Sequence, residues 1–383
     1  MDNKWDLLES SNEDREKIWT KNRTFAGDVW YRFRKKPTAI AGFIIIVLLI
    51  LFALAGPLFT RYNYSVQNLE AVNIPPIMKV YESPDEKGYL YITQSINVVY
   101  VEKDGTLGIQ LKKIRDQEAD KLTIYDCNGH EIALYYGQKP YLIADPVSKI
   151  VYDTKIIWNK SFLLGTDSLG RDILTRLMYG TRVSLLVAFV AALVNMLIGI
   201  VYGGISGYLG GLVDSIMMRI VDIISTIPLT LYVILIMVLL GTGLKSIIVA
   251  LGSVYWVDMA RVVRGQTLSL KEQEFVVAAK TIGSSTKSIL KQHIIPNAMG
   301  SILVTVTMLI PSAIFIEAFL GYLGIGLQPP LASLGTMCND ATENLRSCPF
   351  QLFIPALVIC IIMFAFNFVG DGLRDALDPK LKK

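Results

Sequence analysis

Six stretches of this chain stay apolar for about 20 residues each, the length a helix needs to cross the hydrocarbon core of a bilayer. They run approximately over Ala39–Phe59, Ser184–Ser206, Val221–Leu240, Ser246–Val263, Ala298–Gly321 and Leu352–Gly370. Charged residues form 18% of the chain, against about 25% in soluble domains, so composition supports the same class. The expected fold is an all-α integral membrane protein with six transmembrane helices. Lys and Arg outnumber Asp and Glu by only 37 to 33, which argues against a nucleic-acid partner. Four cysteines without a CxxC pair, and His130 and His293 alone, argue against a metal cage. Residues 1–38 are polar and lack a small-residue cleavage signal, so the run 39–59 is expected to remain as an anchor.

Positive charge orients the spans. Lys21, Arg23, Arg32, Arg34, Lys35 and Lys36 precede the first span; Arg264, Lys271, Lys280, Lys287 and Lys291 lie between the fourth and fifth; Arg374, Lys380, Lys382 and Lys383 follow the sixth. These segments, both termini included, are expected in the cytoplasm. Residues 60–160 then lie outside, and their texture differs from that of the spans. "GYLYITQSINVVYVEKDGTLGIQLKKI" and "KLTIYDCNGHEIALYYG" are rich in Tyr, Val, Ile and Thr, with turn signals at Asp104-Gly105 and Asn128-Gly129. A β-rich extracytoplasmic insert, from about Tyr62 to Asn159, is expected between the first and second helices.

Within the second span, Gly199, Gly203, Gly207 and Gly211 recur on one helix face, where a missing side chain admits a neighbouring helix. "EFVVAAKTIGSSTKSILKQHIIPN", Glu274–Asn297, breaks the oily pattern with charge and glycine. Ser269 and Glu272 match a capping box, which predicts a helix start there. Phe275, Val276, Ala279 and Ile282 predict one apolar face. Gly283 suits a left-handed cap, Ser284 or Ser285 can start a second helix through Lys287 to His293, and Pro296 can open the next span. Two short helices tied to transmembrane helices could be an inert loop, a lipid-surface element or a docking lever.

"VVAAKTIGSSTKSILKQHIIPN" resembles the EAA loop of permease subunits of ABC importers, whose pattern is Glu-Ala-Ala, three residues, Gly, and about a dozen more before Leu/Ile-Pro. Ala278, Ala279, Gly283, Ile295 and Pro296 fill matching places; Val277 stands where the pattern has Glu, with Glu274 three residues earlier. "LLGTDSLGRDILTRLMYGTRVSLLVA", "GYLGGLVDSIMMRIVDIISTIP", "EAFLGYLGIGLQPP" and "FNFVGDGLRDALDPKLKK" are similar to the C-type permease of dipeptide, oligopeptide and nickel importers, and "YRFRKKPTAIAGFIIIVLLILFALAGPLF" to its first span. The resemblance implies a type I ABC importer permease fold over 161–383, with the EAA coupling loop at about 269–296. It implies a bacterial inner or plasma membrane, a homologous B-type permease partner, two ATPase subunits and an extracytoplasmic peptide-binding protein. Such a chain is a transport subunit, not an enzyme, and forms half of a peptide pathway. No GxxxxGK[ST] loop occurs, so ATP and Mg are expected on the partner ATPases and no cofactor on this chain. A nickel or other small-solute permease, and a membrane-anchored sensor or scaffold, are the alternatives.

Glu317 is the one acid well inside an apolar run, where an ionisable group normally faces a bundle interior or water. It is a candidate for the pathway or a gate, with a helix-bracing hydrogen bond as the alternative. "GYLGIGLQPP" after it predicts an irregular segment lining the outer path. Asp167, Gly170, Arg171 and Asp172 suggest a structural ion-pair knot, and Asp371, Arg374 and Asp375 an anchor at the inner end of the last span. Cys338 and Cys348 share the last outer loop and are a candidate disulfide, with two free thiols the alternative.

Overall fold

The computed structural model describes residues 24–377. Lys21, Arg23, Lys380, Lys382 and Lys383, which entered the charge argument, lie outside the described residues. Helix α1 (Phe25–Arg34) leads into α2 (Pro37–Phe59), the first apolar run, with Pro37 in its first turn. Nine strands follow: β1 (Ile77–Glu82), β2 (Gly88–Ile92), β3 (Val98–Glu102), β4 (Leu107–Gln110), β5 (Lys112–Gln117), β6 (Leu122–Cys127), β7 (His130–Tyr135), β8 (Leu142–Ala144) and β9 (Thr154–Trp158). The helices then resume with α3 (Ile173–Leu209), α4 (Gly211–Thr226), α5 (Leu229–Leu240), α6 (Leu244–Gly252) and α7 (Trp256–Leu270). After them come α8 (Glu274–Thr281), α9 (Thr286–Ile289), α10 (Ile295–Tyr322), α11 (Leu334–Asp340) and α12 (Phe350–Leu377).

The strands form two antiparallel sheets, ordered β4-β3-β2-β1-β9 and β5-β6-β7-β8. At Asn128-Gly129 both residues have positive φ, 53° and 87°, between the paired Cys127 and His130; this is the primed two-residue turn that Asn-Gly favours. Tyr81, Leu90, Tyr125, Ile132, Leu134 and Ile143 fill the space between the sheets. The buried phenols keep partners: Tyr81 donates to the Tyr141 carbonyl at 2.7 Å and Tyr125 to that of Ile96 at 2.9 Å. Entry and exit of the insert are adjacent, because Ile77 pairs with Trp158 along the β1–β9 ladder. Below that seam Gln351 of α12 donates to Asn73 Oδ1 at 2.7 Å and to the Thr166 carbonyl at 2.8 Å, tying insert to helices.

Among the described residues, five helical segments are long and apolar enough to cross a membrane: 37–58, 173–209, 244–270, 286–322 and 350–377. The expected third span departs from a straight helix. Its apolar residues are divided between α4 and α5, which bend by 86° at Ile227-Pro228. Proline lacks the N–H that a continuing helix needs and disfavours helical geometry in the residue before it; Ile227 accordingly is extended, with ψ 125°.

Helix α3 is held to α7 through glycine. A Cβ on Gly199 would meet Met259 at 2.3 Å, on Gly203 the Ala260 carbonyl at 2.3 Å, and on Gly207 the Arg264 carbonyl at 2.8 Å. Position numbers climb together on both helices, so they run parallel. Gly211 does not share this role; it opens α4 with φ +55° and open space around it. On the opposite flank Gly42 of α2 rests on the Ala365 carbonyl of α12, and Lys36 pairs with Asp375, which places both described ends of the chain together. Gly203→Val should therefore cost about 1–3 kcal/mol through overpacking against backbone, whereas Gly204→Ala, whose Cβ would find only Leu290 at 3.8 Å, should be neutral. Thermal midpoints of the detergent-solubilised proteins check the contrast.

Candidate functional site

Segment 269–296 lies at the same end of the helical body as the described ends of the chain, since Gly300 at the start of α10 faces Leu377 at the end of α12. The insert occupies the other end. Ser269 does not start a helix: α7 runs on through it to Leu270, and Gln273 takes the N-cap position of α8 without a side-chain bond. The fourth apolar run simply continues as helix beyond the expected Val263, so the capping signal falls in a last turn.

Helix α8 ends at Gly283, whose φ is +83°. Gly283 N–H donates to the Lys280 carbonyl and Ser284 N–H to that of Ala279, each at 3.0 Å, the paired bonds of a Schellman end. Ser285 then caps α9, accepting Ser288 N–H at 3.3 Å. The second short helix is not a separate piece. Leu290–Ile294 form one π turn that joins α9 to α10, with Ile295 N–H donating to Leu290. The wider turn admits Pro296 early in α10, where proline's missing N–H would otherwise break an α ladder.

The two helices clasp a small apolar core of Val276, Ala279, Ile289 and Ile294, resting on Tyr208 of α3 and Leu270 of α7. Lys280 Nζ lies 5.4 Å from the Tyr208 ring centroid. The apolar face expected from spacing is only half realised. Val276 and Ala279 turn inward, while Phe275 is 41% and Ile282 is 82% exposed. Ala278 faces out and Ala279 in, so the two alanines have different surroundings. On the outer side Glu274, Val277, Ala278, Thr281 and Ile282 form an exposed helical stripe at three- and four-residue spacing, with Val277 51% exposed at its centre.

Beneath this element is a contact that reading along the sequence missed. Arg264 of α7 donates from Nε and one terminal nitrogen to the two carboxylate oxygens of Asp214 in α4, each bond 2.6 Å. Ser206 Oγ donates to the same carboxylate at 2.5 Å, and Lys271 Nζ to the Gly207 carbonyl at 3.2 Å. This bidentate clamp fixes the α3–α4 corner against α7, one turn from Tyr208. Fifty positions separate its partners, and only the parallel α3–α7 packing shows that they meet.

Glu317 is fully buried in α10 and accepts a hydrogen bond from Ser184 Oγ of α3 at 2.6 Å; Leu334 N–H of α11 reaches the same hydroxyl at 3.4 Å. Through that hydroxyl it links α3, α10 and α11, and it is not among the residues lining either cavity beside the α4–α5 bend. Those cavities, of about 360 and 330 Å3, share Leu229 and Tyr255; one adds Ser312 and Phe315, the other Asp258 and Arg261. At the opposite end Asp167 binds Arg171 at 2.7 Å and also Arg176, and both arginines reach Asp340 at 3.0 Å. Asp172 separately caps α3 through Thr175 N–H at 2.8 Å. Cys338 and Cys348 are not joined: both are buried free thiols, and Cys348 Sγ accepts Gln94 Nε2 at 3.2 Å. Burial pushes the Cys348 thiol up, which keeps it protonated.

A family model described as the inner membrane component of binding-protein-dependent transport systems matches residues 168–383, more than half of the chain. The chain belongs to this family. A second model, the N-terminal transmembrane domain of oligopeptide transport permease C, matches residues 24–76. Among relatives, the oligopeptide transport system permease protein OppC of Bacillus subtilis is 40% identical over 370 residues, covering 97% of this chain and 94% of the relative. The dipeptide transport system permease protein DppC of that organism is 36% identical over 378 residues, 98% and 92% of the two chains. The OppC protein of Salmonella typhimurium is 50% identical over 216 residues, 56% of this chain and 72% of the relative. Membership makes this multi-pass membrane protein a transport component rather than an enzyme.

For this family member, Asp214→Ala should lower stability by about 1–3 kcal/mol, because Arg264 loses its charged partner at a partly buried site. Arg261→Ala should cost less than about 1 kcal/mol, since its pairs with Asp222 and Asp258 are exposed on both sides. Paired thermal melts measure the difference.

Proposed function

We propose that this chain is the C-type permease subunit of an ATP-driven ABC importer for peptides, and that segment 269–296 is the plug through which a separate ATPase drives it. The peptide class is carried by the near-full-length relatives named for oligopeptide and dipeptide transport. The coupling role is carried by one observation: Val277 and Ile282 stand exposed on a short helix whose underside is clasped to transmembrane helices. Exposed apolar side chains on a rigid mount are what a groove in a soluble partner would cover. Val277 takes the central place of the motif's glutamate, so apolar burial replaces a charged contact there.

The chain crosses the membrane six times in this reading. Parallel α3 and α7 must be joined by a segment that returns across the full thickness, and the bent pair α4–α5 with its turn into α6 is that segment. Positive charge puts both termini and the plug in the cytoplasm and the insert outside a bacterial inner membrane. A homologous B-type permease supplies the other half of the path, with its wall on this side near Tyr255 and Ser312, beside the bend. Two ATPase subunits bind ATP and Mg, and an extracytoplasmic binding protein delivers the peptide. Tilting of the plug passes through Tyr208 to α3 and through the unbroken 286–322 helix to α10.

Gly283→Pro tests the plug, since proline cannot adopt φ +83° and lacks the N–H that Lys280 accepts. It should sharply reduce copurification of the ATPase while membrane insertion is retained, and Val277→Asp should do the same without disturbing the turn. Unchanged copurification and unchanged peptide uptake in both variants would sink the coupling role.

A further inference from the structure

A cavity of about 450 Å3 opens where α2 ends, between that helix, the start of α3 and the base of the insert. Its floor is apolar, formed by Phe59, Leu163 and Leu174. Its upper wall carries the cations Arg61 and Lys160 with the hydroxyl of Ser161. Phe59 is the last residue of an apolar spanning helix and Leu174 the second residue of another, so the floor lies at the hydrocarbon edge. Arg61, two residues beyond that edge, stands at headgroup depth.

The charges favour an anion. Arg61 makes no ion pair among the described residues. Lys160 is held only loosely, 3.7 Å from Asp104, in a pair exposed on both sides. That carboxylate is already engaged by Thr106, which donates its N–H and its hydroxyl to it at 2.9 Å each. The one acid in the wall, Asp172, is buried and has Oδ2 engaged by Thr175, which donates both its N–H and its hydroxyl to it. Ser161 Oγ accepts Leu107 N–H at 2.9 Å and so keeps its own O–H free to donate.

From this arrangement we infer that the cavity binds the phosphate headgroup of an anionic phospholipid from the leaflet on the insert side, with Arg61 and Lys160 on the phosphate and an acyl chain along Phe59 and Leu174. A free phosphate ion would use the cations but not the floor; a lipid uses both. Occupancy would fasten the insert to the bilayer at the point where the first span meets it.

The test uses the assembled transporter in detergent and native mass spectrometry, titrating phosphatidylglycerol or phosphatidylcholine. The wild type should retain one phosphatidylglycerol that the Arg61→Ala, Lys160→Ala double variant binds at least about tenfold more weakly. Phosphatidylcholine should bind both proteins alike, and the exchanged pair Arg61→Lys, Lys160→Arg should recover binding. Equal phosphatidylglycerol retention by wild type and double variant overturns the proposal. So does failure of the exchanged pair, or displacement of the lipid by millimolar inorganic phosphate, which would make the site one for small anions.

Discussion

Backbone contact between α3 and α7 is the constraint from which the arrangement follows. In a bilayer there is little hydrophobic gain in bringing two apolar helices together, so close packing and polar bonds must hold them. Gly199, Gly203 and Gly207 allow that approach, and their successive partners Met259, Ala260 and Arg264 show that the helices lie parallel. Parallel neighbours cannot be joined by a short turn. The intervening chain holds α4 and α5, which meet at an 86° bend at Ile227-Pro228. The same contact brings Arg264 to Asp214 and sets Tyr208 and Leu270 side by side as the seat of the exposed two-helix plug.

The two-helix segment 269–296 joins a closed face beneath to an exposed face above. Its lower face is closed by four buried aliphatic residues and by the Schellman end at Gly283. Its upper face leaves Val277 and Ile282 in solvent, which a chain acting alone would gain nothing from. Below it the Asp214 clamp joins α7 to the first turn of α4, the start of the bent pair whose cavities border Tyr255.

Much of this was legible along the chain, for identifiable reasons. Span length is set by bilayer thickness, so the apolar runs stood out, and Asn128-Gly129 announced its hairpin because few residue pairs tolerate two positive φ values. Gly283 was legible as a corner for the same reason. The break at Ile227-Pro228 was not, because apolar composition runs through it and hydropathy is blind to direction. Ala278 and Ala279 looked alike because spacing over eight residues does not say which side is covered. Glu317 drew attention as a costly acid, but only its contact with Ser184 of a distant helix shows the brace. Ser269 and Glu272 misled because a capping pattern carries no signal that the preceding helix has already ended.

The insert enters on β1 and leaves on β9, and Ile77 pairs with Trp158 across that doorway. The family models stop at residue 76 and resume at 168, so the nine strands occupy the interval that neither describes. A segment whose two ends meet spans no distance in the host, and its gain or loss leaves the helices on either side where they were. The helical body and the strand module are thus free to diverge separately, because neither sets the geometry of the other.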